Sequence, residues 1–102
     1  MRFNIPGSED KFRRIAQVME GEPGMVAARQ GSGSGAESGA AVVERLFELN
    51  RELGLPLRLR DIGVKPEHIA TLADLALADF CHPSNPRPVS LSDFSQLYQS
   101  AL

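Results

Sequence analysis

The chain of 102 residues is long enough for one domain with a modest core, since a chain of this size buries only about 60 to 70% of its unfolded surface. Its 11 Lys and Arg residues against 13 Asp and Glu residues give no electrostatic reason to expect nucleic acid or an anionic membrane as partner. The single cysteine excludes an intramolecular disulfide, and the absence of a long apolar run or a signal-like N-terminus favours a cytoplasmic protein.

The first half of the chain predicts two amphipathic helices with a loop between them. Ser8 is a suitable N-cap for the first helix, which is expected to end near Met19. The i, i+3, i+4, i+7 spacing of Phe12, Ile15, Ala16 and Met19 predicts its apolar face. Residues 30–39 are rich in Gly and Ser and offer few apolar groups to offset the entropy of ordering, so they predict a flexible surface loop. The second helix is expected over about Ala40 to Leu53. Its predicted apolar face comprises Val42, Val43, Leu46, Leu49 and Leu53.

The third predicted helix follows an irregular connector, Leu55 to Val64. The alternation of apolar and polar residues there allows a short strand, but the flanking helices and Gly63 favour an extended loop or a helical turn. Pro66 suits the first turn of a helix that runs to about Phe80 and is apolar over much of its circumference. A central position is therefore expected for this helix. Its predicted buried stripe comprises Ile69, Leu72, Ala73, Ala76 and Phe80.

The last helix is predicted to begin after a proline-rich segment. Three prolines within residues 81–88 predict a stiff, shaped loop. Ser90, with Asp93 three residues later, has the spacing of a capping box. Together these patterns predict an all-α fold, a small bundle of about four helices forming a single domain over residues 1–102. The inner face of the last helix is expected to comprise Leu91, Phe94, Leu97, Tyr98 and Ala101.

Few side chains in the chain are candidates for chemistry. Cys81 and His82 are adjacent, which is poor geometry for two ligands on one ion, and His68 lies on a different segment. A Cys–His nucleophile would need a third orienting group, so Cys81 is interpreted as a small buried hydrophobe at a helix end. Asp61 is interpreted as a turn cap or a partner of a neighbouring Arg, and Arg87 as a donor to backbone carbonyls. These residue types predict no catalytic, cofactor-binding or metal-ligating residue.

Four segments carry a resemblance that covers nearly the whole chain. They are the opening Met1–Asn4, the block from Leu53 to Val64 with its Leu-Gly-Leu-Pro start, the block Ala78–Arg87 that ends in Asn-Pro-Arg, and the helix from Ser90 to Tyr98. In this order they resemble the C-terminal helical part of the iron-containing, NAD(P)-dependent alcohol dehydrogenases. That family has a dehydroquinate synthase-like fold.

The resemblance implies an oxidoreductase that transfers hydride between NAD(P) and an alcohol, with Fe²⁺ or Zn²⁺ as a metal cofactor. In the family, the nucleotide-binding domain and the Asp and His metal ligands precede the segment that matches Met1. The chain is therefore expected to contribute packing and one wall of the substrate cleft, and to be inactive alone. Its expected partners are an N-terminal nucleotide-binding domain or a second copy. The match makes Cys81 and His82 candidate substrate-cleft contacts.

Two alternatives stay open at this point. The segment from Asn85 to Pro88 is also similar to one in maleylacetate reductases, which share the fold and reduce a dicarboxylate. The chain could instead be a free-standing helical protein-binding module, if the gene encodes only these residues. The DNA upstream of Met1 would distinguish the C-terminal part of a longer enzyme from a free-standing module.

Overall fold

The computed structural model describes residues 1–19 and 34–102, and within these ranges it is all-helical. Its four α-helices are α1 (Glu9–Val18), α2 (Gly35–Glu52), α3 (Ile69–Ala78) and α4 (Leu91–Ala101), with short 3₁₀ turns between α2 and α3 and between α3 and α4. The all-α prediction with about four helices is confirmed. The chain divides into two compact units, Met1–Leu55 and Pro56–Leu102. Whether the two units form the single domain expected over residues 1–102 stays a prediction.

None of the helices in the described ranges is long and apolar enough to cross a membrane.

The first unit is built by α1 packing on α2. Phe12 and Ala16, one helical turn apart on α1, form the buried core with Val42 of α2. The predicted apolar face of the first helix is confirmed at these two positions, whereas Ile15 is 40% exposed at its edge. The helix ends at Val18 with Met19 as its C-cap, so its predicted end near Met19 is confirmed. The partly buried side chains that surround this core are Ile5, Met19, Ala41 and Leu46.

The second helix begins earlier than the sequence patterns predicted. Residues 35–39, expected to belong to a flexible loop, are the first turns of α2, and the rest of that predicted loop before Ser34 lies outside the described residues. Ser34 is the N-cap: its Oγ accepts from the backbone N–H of Glu37 at 3.3 Å, and Oε2 of Glu37 accepts from the N–H of Ser34 at 2.6 Å. This capping box gives hydrogen-bond partners to two backbone N–H groups at the start of α2. The glycine-rich composition of the segment did not predict it.

The far end of α2 is more exposed than its pattern predicted. Val42 and Val43 are buried as expected, but Leu49 is 39% exposed and Leu53 is 63% exposed. Helix α2 has 18 residues and α1 has 10, so α2 is longer by about 12 Å at 1.5 Å per residue. Its C-terminal turns therefore present apolar side chains that α1 does not cover.

The second unit begins with the connector, which contains a helical turn as predicted. Residues Leu59–Ile62 form a 3₁₀ turn, and the alternative of a short strand there is wrong. Oδ2 of Asp61 accepts from the backbone N–H groups of Arg58 at 2.9 Å and of Leu57 at 3.2 Å. Asp61 is therefore a turn cap, as the sequence suggested. Gly63, at φ +87°, ends the turn.

Helix α3 packs on α4 and is shorter than predicted. Pro66 opens a 3₁₀ turn, the α-helix starts at Ile69, and it ends at Ala78 because Asp79 has extended backbone angles. Ala73 is the buried residue of α3, with 1% exposure. The expectation that Phe80 is buried is wrong: it is 89% exposed, since the chain leaves the helical path before reaching it.

Hydrogen bonds stabilise both the start and the end of α4. The predicted capping box is confirmed, because Ser90 Oγ accepts from the N–H of Asp93 at 3.2 Å and Oδ2 of Asp93 accepts from the N–H of Ser90 at 2.9 Å. At the other end, Nη1 of Arg58 donates to the carbonyl of Ser100 at 3.2 Å, and Nε of Arg60 donates to the carbonyl of Leu102. The predicted inner face of α4 is half-buried except at Leu91, which is 41% exposed.

Candidate functional site

The turn that follows α3 contains both predicted cleft residues, and Asp79 shapes its start. Oδ1 of Asp79 accepts from the backbone N–H of Cys81 at 2.7 Å. This hydrogen bond is the main reason that the pKa of Asp79 lies below its ordinary value. The neighbouring carboxylate, through a hydrogen bond to the thiol, raises the pKa of Cys81. The thiol is therefore protonated at neutral pH, which makes it a weak nucleophile and a potential weak hydrogen-bond donor.

Cys81 is exposed, so its interpretation as a small buried hydrophobe is wrong. The physical reason is the early end of α3. A helix continued to residue 81 would keep that position on a helical face, whereas the extended backbone of Asp79 turns the chain away from the helix axis. The exposed thiol is accessible to a molecule in solution.

His82 is half-buried and contacts α4 through Phe94. The two rings meet edge to face, with centroids 5.9 Å apart and planes at 89°. Such T-shaped pairs are favourable because the positive edge of one ring meets the negative face of the other. This contact attaches the turn to α4.

Hydrogen bonds within the turn hold its remaining residues. Ser84 donates from Oγ to the carbonyl of Cys81 at 2.7 Å, and the N–H of Asn85 donates to the carbonyl of His82 at 3.0 Å. Nδ2 of Asn85 also donates to the carbonyl of Arg87 at 2.6 Å. Local bonds of this kind, added to the three prolines, produce the shaped loop that the sequence predicts. The loop thus presents Cys81 from a fixed backbone.

The side chains in the described ranges do not fit a metal site. No group of three or more His, Cys, Asp or Glu residues among them is arranged to hold an ion. His68 is exposed in the Pro66 turn, where its Nδ1 accepts from the N–H of Lys65 at 3.3 Å. Four-coordinate or three-coordinate protein sites need more ligands than these isolated groups supply.

Sequence reasoning identified Cys81 and His82 but missed the two residues that determine their surroundings. Asp79 precedes Cys81 by two positions, and an Asp side chain commonly accepts a hydrogen bond from the backbone N–H two residues later. The sequence therefore contained a local signal for this hydrogen bond. Phe94 lies twelve residues after His82, and no local pattern predicts that ring contact. The pKa of Asp93 is lowered mainly by the hydrogen bond from the Ser90 side chain, and the positive charge of Arg87 adds to this lowering.

Comparison with known proteins gives one family. The model of the Fe-containing alcohol dehydrogenase family, C-terminal part, matches residues 1–102. Lactaldehyde reductase of Escherichia coli K12 is 42% identical over 102 residues, covering 99% of this chain and 25% of the relative. NAD-dependent methanol dehydrogenase of Bacillus methanolicus is 33% identical, covering 98% and 24%, and 1,3-propanediol dehydrogenase of Citrobacter freundii is 28% identical with the same coverage.

The chain spans about a quarter of the length of these curated relatives, and the matched family model describes a C-terminal region. The all-helical architecture agrees with the fold that the resemblance implied. Because the family match extends over every residue, the chain belongs to the Fe-containing alcohol dehydrogenase family, as part of its C-terminal region.

Proposed function

We propose that the chain is the C-terminal helical part of an NAD(P)-dependent, iron-containing alcohol dehydrogenase and is not catalytic alone. The observation that carries this proposal is the family match over all 102 residues. The relatives compared above are named as a reductase and as dehydrogenases, and one name specifies NAD. The chain contributes helical packing and one wall of the substrate cleft.

In this proposal, residues outside the chain hold the metal and the nucleotide. The described side chains bring no three ligands together, so they do not supply a site for iron or zinc. When bound in the enzyme, NAD(P) accepts or donates hydride and the divalent metal polarises the alcohol or carbonyl oxygen.

The turn after α3 is the part of the chain that we assign to the cleft. The Cys81 thiol is exposed and kept protonated by Asp79, so it can contact a substrate without reacting with it. The half-buried ring of His82 fixes the same turn against Phe94. Their proposed role is contact and positioning, since the exposed thiol is a weak donor and the backbone beneath it is held by hydrogen bonds.

A chimera tests the proposal directly. This chain replaces the matching C-terminal residues of Escherichia coli lactaldehyde reductase, with which it is 42% identical over 102 residues. The expected result is a folded protein that reduces lactaldehyde with NADH or NADPH after loading with Fe²⁺. The N-terminal part of the reductase without any C-terminal segment is the control and should be inactive.

The contradicting outcome is a chimera that melts cooperatively and binds nucleotide but shows no reductase activity. In an active chimera, Cys81→Ser tests the cleft contact. It should change KM for the aldehyde by a few fold with little change in the Tm, because the thiol is exposed. An unchanged KM would show that Cys81 does not contact the substrate. It would leave intact the proposal that the chain is the C-terminal part of the enzyme.

A further inference from the structure

A negative charge lies beside the exposed thiol of the turn after α3. Oδ1 of Asp79 accepts from the backbone N–H of Cys81 at 2.7 Å, and the same carboxylate accepts a hydrogen bond from the Cys81 thiol. These two hydrogen bonds lower the pKa of Asp79, so its carboxylate is ionised at neutral pH. A molecule that contacts the thiol therefore meets this charge at short range.

Little positive charge in the turn offsets the Asp79 carboxylate. None of the ion pairs in the described ranges includes Asp79. His82 has the weakest of the effects that lower the pKa of Asp79, and its half-buried ring packs on Phe94. The charge of Arg87 acts on Asp93, at the start of α4. The ionised Asp79 is therefore the main charge beside the thiol.

A charge in this position can discriminate between substrates. Two groups that both contact one sulfur atom, each at about 4 Å, are at most about 8 Å apart. This distance does not exceed the Debye length of about 8 Å at physiological ionic strength, so salt screens the repulsion between them only in part. A binding site can reject a ligand by placing a like charge against it. A substrate carboxylate in contact with Cys81 would be repelled in this way by Asp79.

Membership in the family leaves the charge of the substrate open. Lactaldehyde is uncharged, and the reductase named for it is 42% identical to this chain. 4-Hydroxybutyrate carries a carboxylate, and 4-hydroxybutyrate dehydrogenase of Cupriavidus necator is 30% identical over 106 residues. The residues around the cleft must therefore decide which class is accepted.

We propose that Asp79 is a specificity-determining residue, whose charge beside Cys81 disfavours aldehydes and alcohols that carry a carboxylate. Asp79 acts on the far end of the substrate and not on the reacting atoms, so it is not a catalytic residue. The same repulsion argues against the maleylacetate reductase alternative, because that enzyme reduces a dicarboxylate. This inference rests on the proposed function, which assigns Cys81 to the substrate cleft.

Alkylation of the 102-residue chain measures the charge at the thiol without any catalysis. Cys81 is the single cysteine, and both uncharged iodoacetamide and anionic iodoacetate react with its thiolate. The ratio of the two rates at one pH therefore does not depend on the thiolate fraction. Asp79→Asn should raise the iodoacetate rate relative to the iodoacetamide rate by about two- to fivefold at low ionic strength, and about 1 M salt should reduce this change.

The control for this substitution is Asp74→Asn. It removes the same charge from an exposed position on α3, five residues before Asp79. It should change the ratio of the alkylation rates by less than half as much, because the charge lies farther from the thiol.

The lactaldehyde reductase chimera tests the effect on substrate choice. The probes are 4-oxobutanoate, which carries a carboxylate, and its uncharged methyl ester, which has the same carbon chain. Asp79→Asn should raise kcat/KM for 4-oxobutanoate relative to the ester by about three- to tenfold. The gain should come mainly from a lower KM, since the charge acts on binding and not on hydride transfer. Asp74→Asn should leave the ratio unchanged.

The outcomes separate this inference from the proposed function. An active chimera in which Asp79→Asn brings no gain for 4-oxobutanoate over the ester overturns the specificity role and leaves the proposed function intact. An unchanged ratio of alkylation rates, or a gain equally large with Asp74→Asn, also overturns the specificity role alone. A chimera that does not reduce lactaldehyde contradicts the proposed function and, with it, the role of Asp79 in substrate choice.

Discussion

The backbone of Gly39 lies against the side chain of Ile5, so close that a Cβ at Gly39 would be 2.9 Å from both Cγ1 and Cγ2 of Ile5. One turn earlier, a Cβ at Gly35 would clash with Cβ of Glu9 and would be 3.0 Å from the carbonyl oxygen of Glu9. Real Cβ contacts are longer than this. The first turns of α2 therefore reach the N-terminal segment and α1 only because these two positions have no side chain.

Gly35→Ala is expected to destabilise the chain by about 1 to 3 kcal/mol, because the new methyl group meets the Glu9 backbone, which cannot move without shifting α1. In an open helix the same substitution would stabilise by up to about 1 kcal/mol through helix propensity. Urea unfolding measures the difference. A Gly35→Ala chain as stable as the parent, or more stable, would contradict the close approach.

Gly39→Ala should cost less than Gly35→Ala, since its neighbour is the end of the Ile5 side chain and that side chain can shift. A double-mutant cycle with Ile5→Ala isolates the contact. The clash predicts that Gly39→Ala is less harmful, or even stabilising, when Ile5 has already been shortened. Equal effects of Gly39→Ala in both backgrounds would mean that Ile5 is not the residue that it meets.

The capping box of α4 predicts a measurable loss on removal of its serine. Ser90→Ala removes the acceptor for the N–H of Asp93 and should cost about 1 kcal/mol of stability. Ser92→Ala, on the exposed first turn of the same helix, is the control and should change stability little. A similar loss from both variants would show that the effect is not due to the cap.

The lowered pKa of Asp93 gives a pH dependence with a definite sign. Hydrogen bonds from Ser90 stabilise the ionised carboxylate, so the folded pKa lies below the unfolded one. Its contribution is fully present above the unfolded value of about 4 and is lost as pH falls through the folded pKa. The stability difference between the parent and Asp93→Asn should therefore shrink below about pH 4. A stability difference that grows on acidification would contradict a lowered pKa of Asp93 in the folded chain.

The Asp79 carboxylate predicts slow alkylation of Cys81. Because the carboxylate raises the thiol pKa, the rate of reaction with iodoacetamide should reach half its maximum at a higher pH than for an ordinary cysteine. Asp79→Asn keeps an oxygen to accept from the N–H of Cys81 but removes the charge. It should increase the rate near pH 8 by a few fold. Asp93→Asn is the control, and an equal increase there would exclude a local effect.

Calorimetric titration of the 102-residue chain with NADH, with Fe²⁺ and with Zn²⁺ is expected to show no saturable binding in the micromolar range. The reason is the separation of His68 from the Cys81 turn and the lack of a three-ligand cluster in the described ranges. The active chimera serves as the positive control. Micromolar binding of a metal to the chain alone would require that Cys81, His82 or His68 be reassigned as ligands.

Local sequence patterns were sufficient for much of the fold. The i, i+3, i+4 spacing located Phe12 and Ala16 in the core, and Ser90 with Asp93 marked the start of α4. Pro66 and Gly63 marked the turns that precede α3. These features depend on contacts within a few residues along the chain, which is why they can be predicted from the chain alone.

Composition misled the prediction where a partner distant in sequence or a local cap decided the structure. Residues 35–39 were expected to be a loop because the Gly- and Ser-rich stretch offers few apolar groups to offset the entropy of ordering, yet Ser34 caps them and the glycines allow close packing against Ile5 and Glu9. Residue types alone do not report how closely two segments approach.

The sequence by itself determined the helical class, the capping box of α4 and the family, since these depend on periodicity, local hydrogen bonds and motif order. Tertiary structure alone decided that Phe80 and Cys81 are exposed, that His82 packs on Phe94, and that the side of α3 opposite Ala73 is uncovered. Whether a side chain is buried depends on which other residues pack against it. It is set by where a helix ends and by which other segments reach it, and neither is encoded in the apolar character of the residue itself.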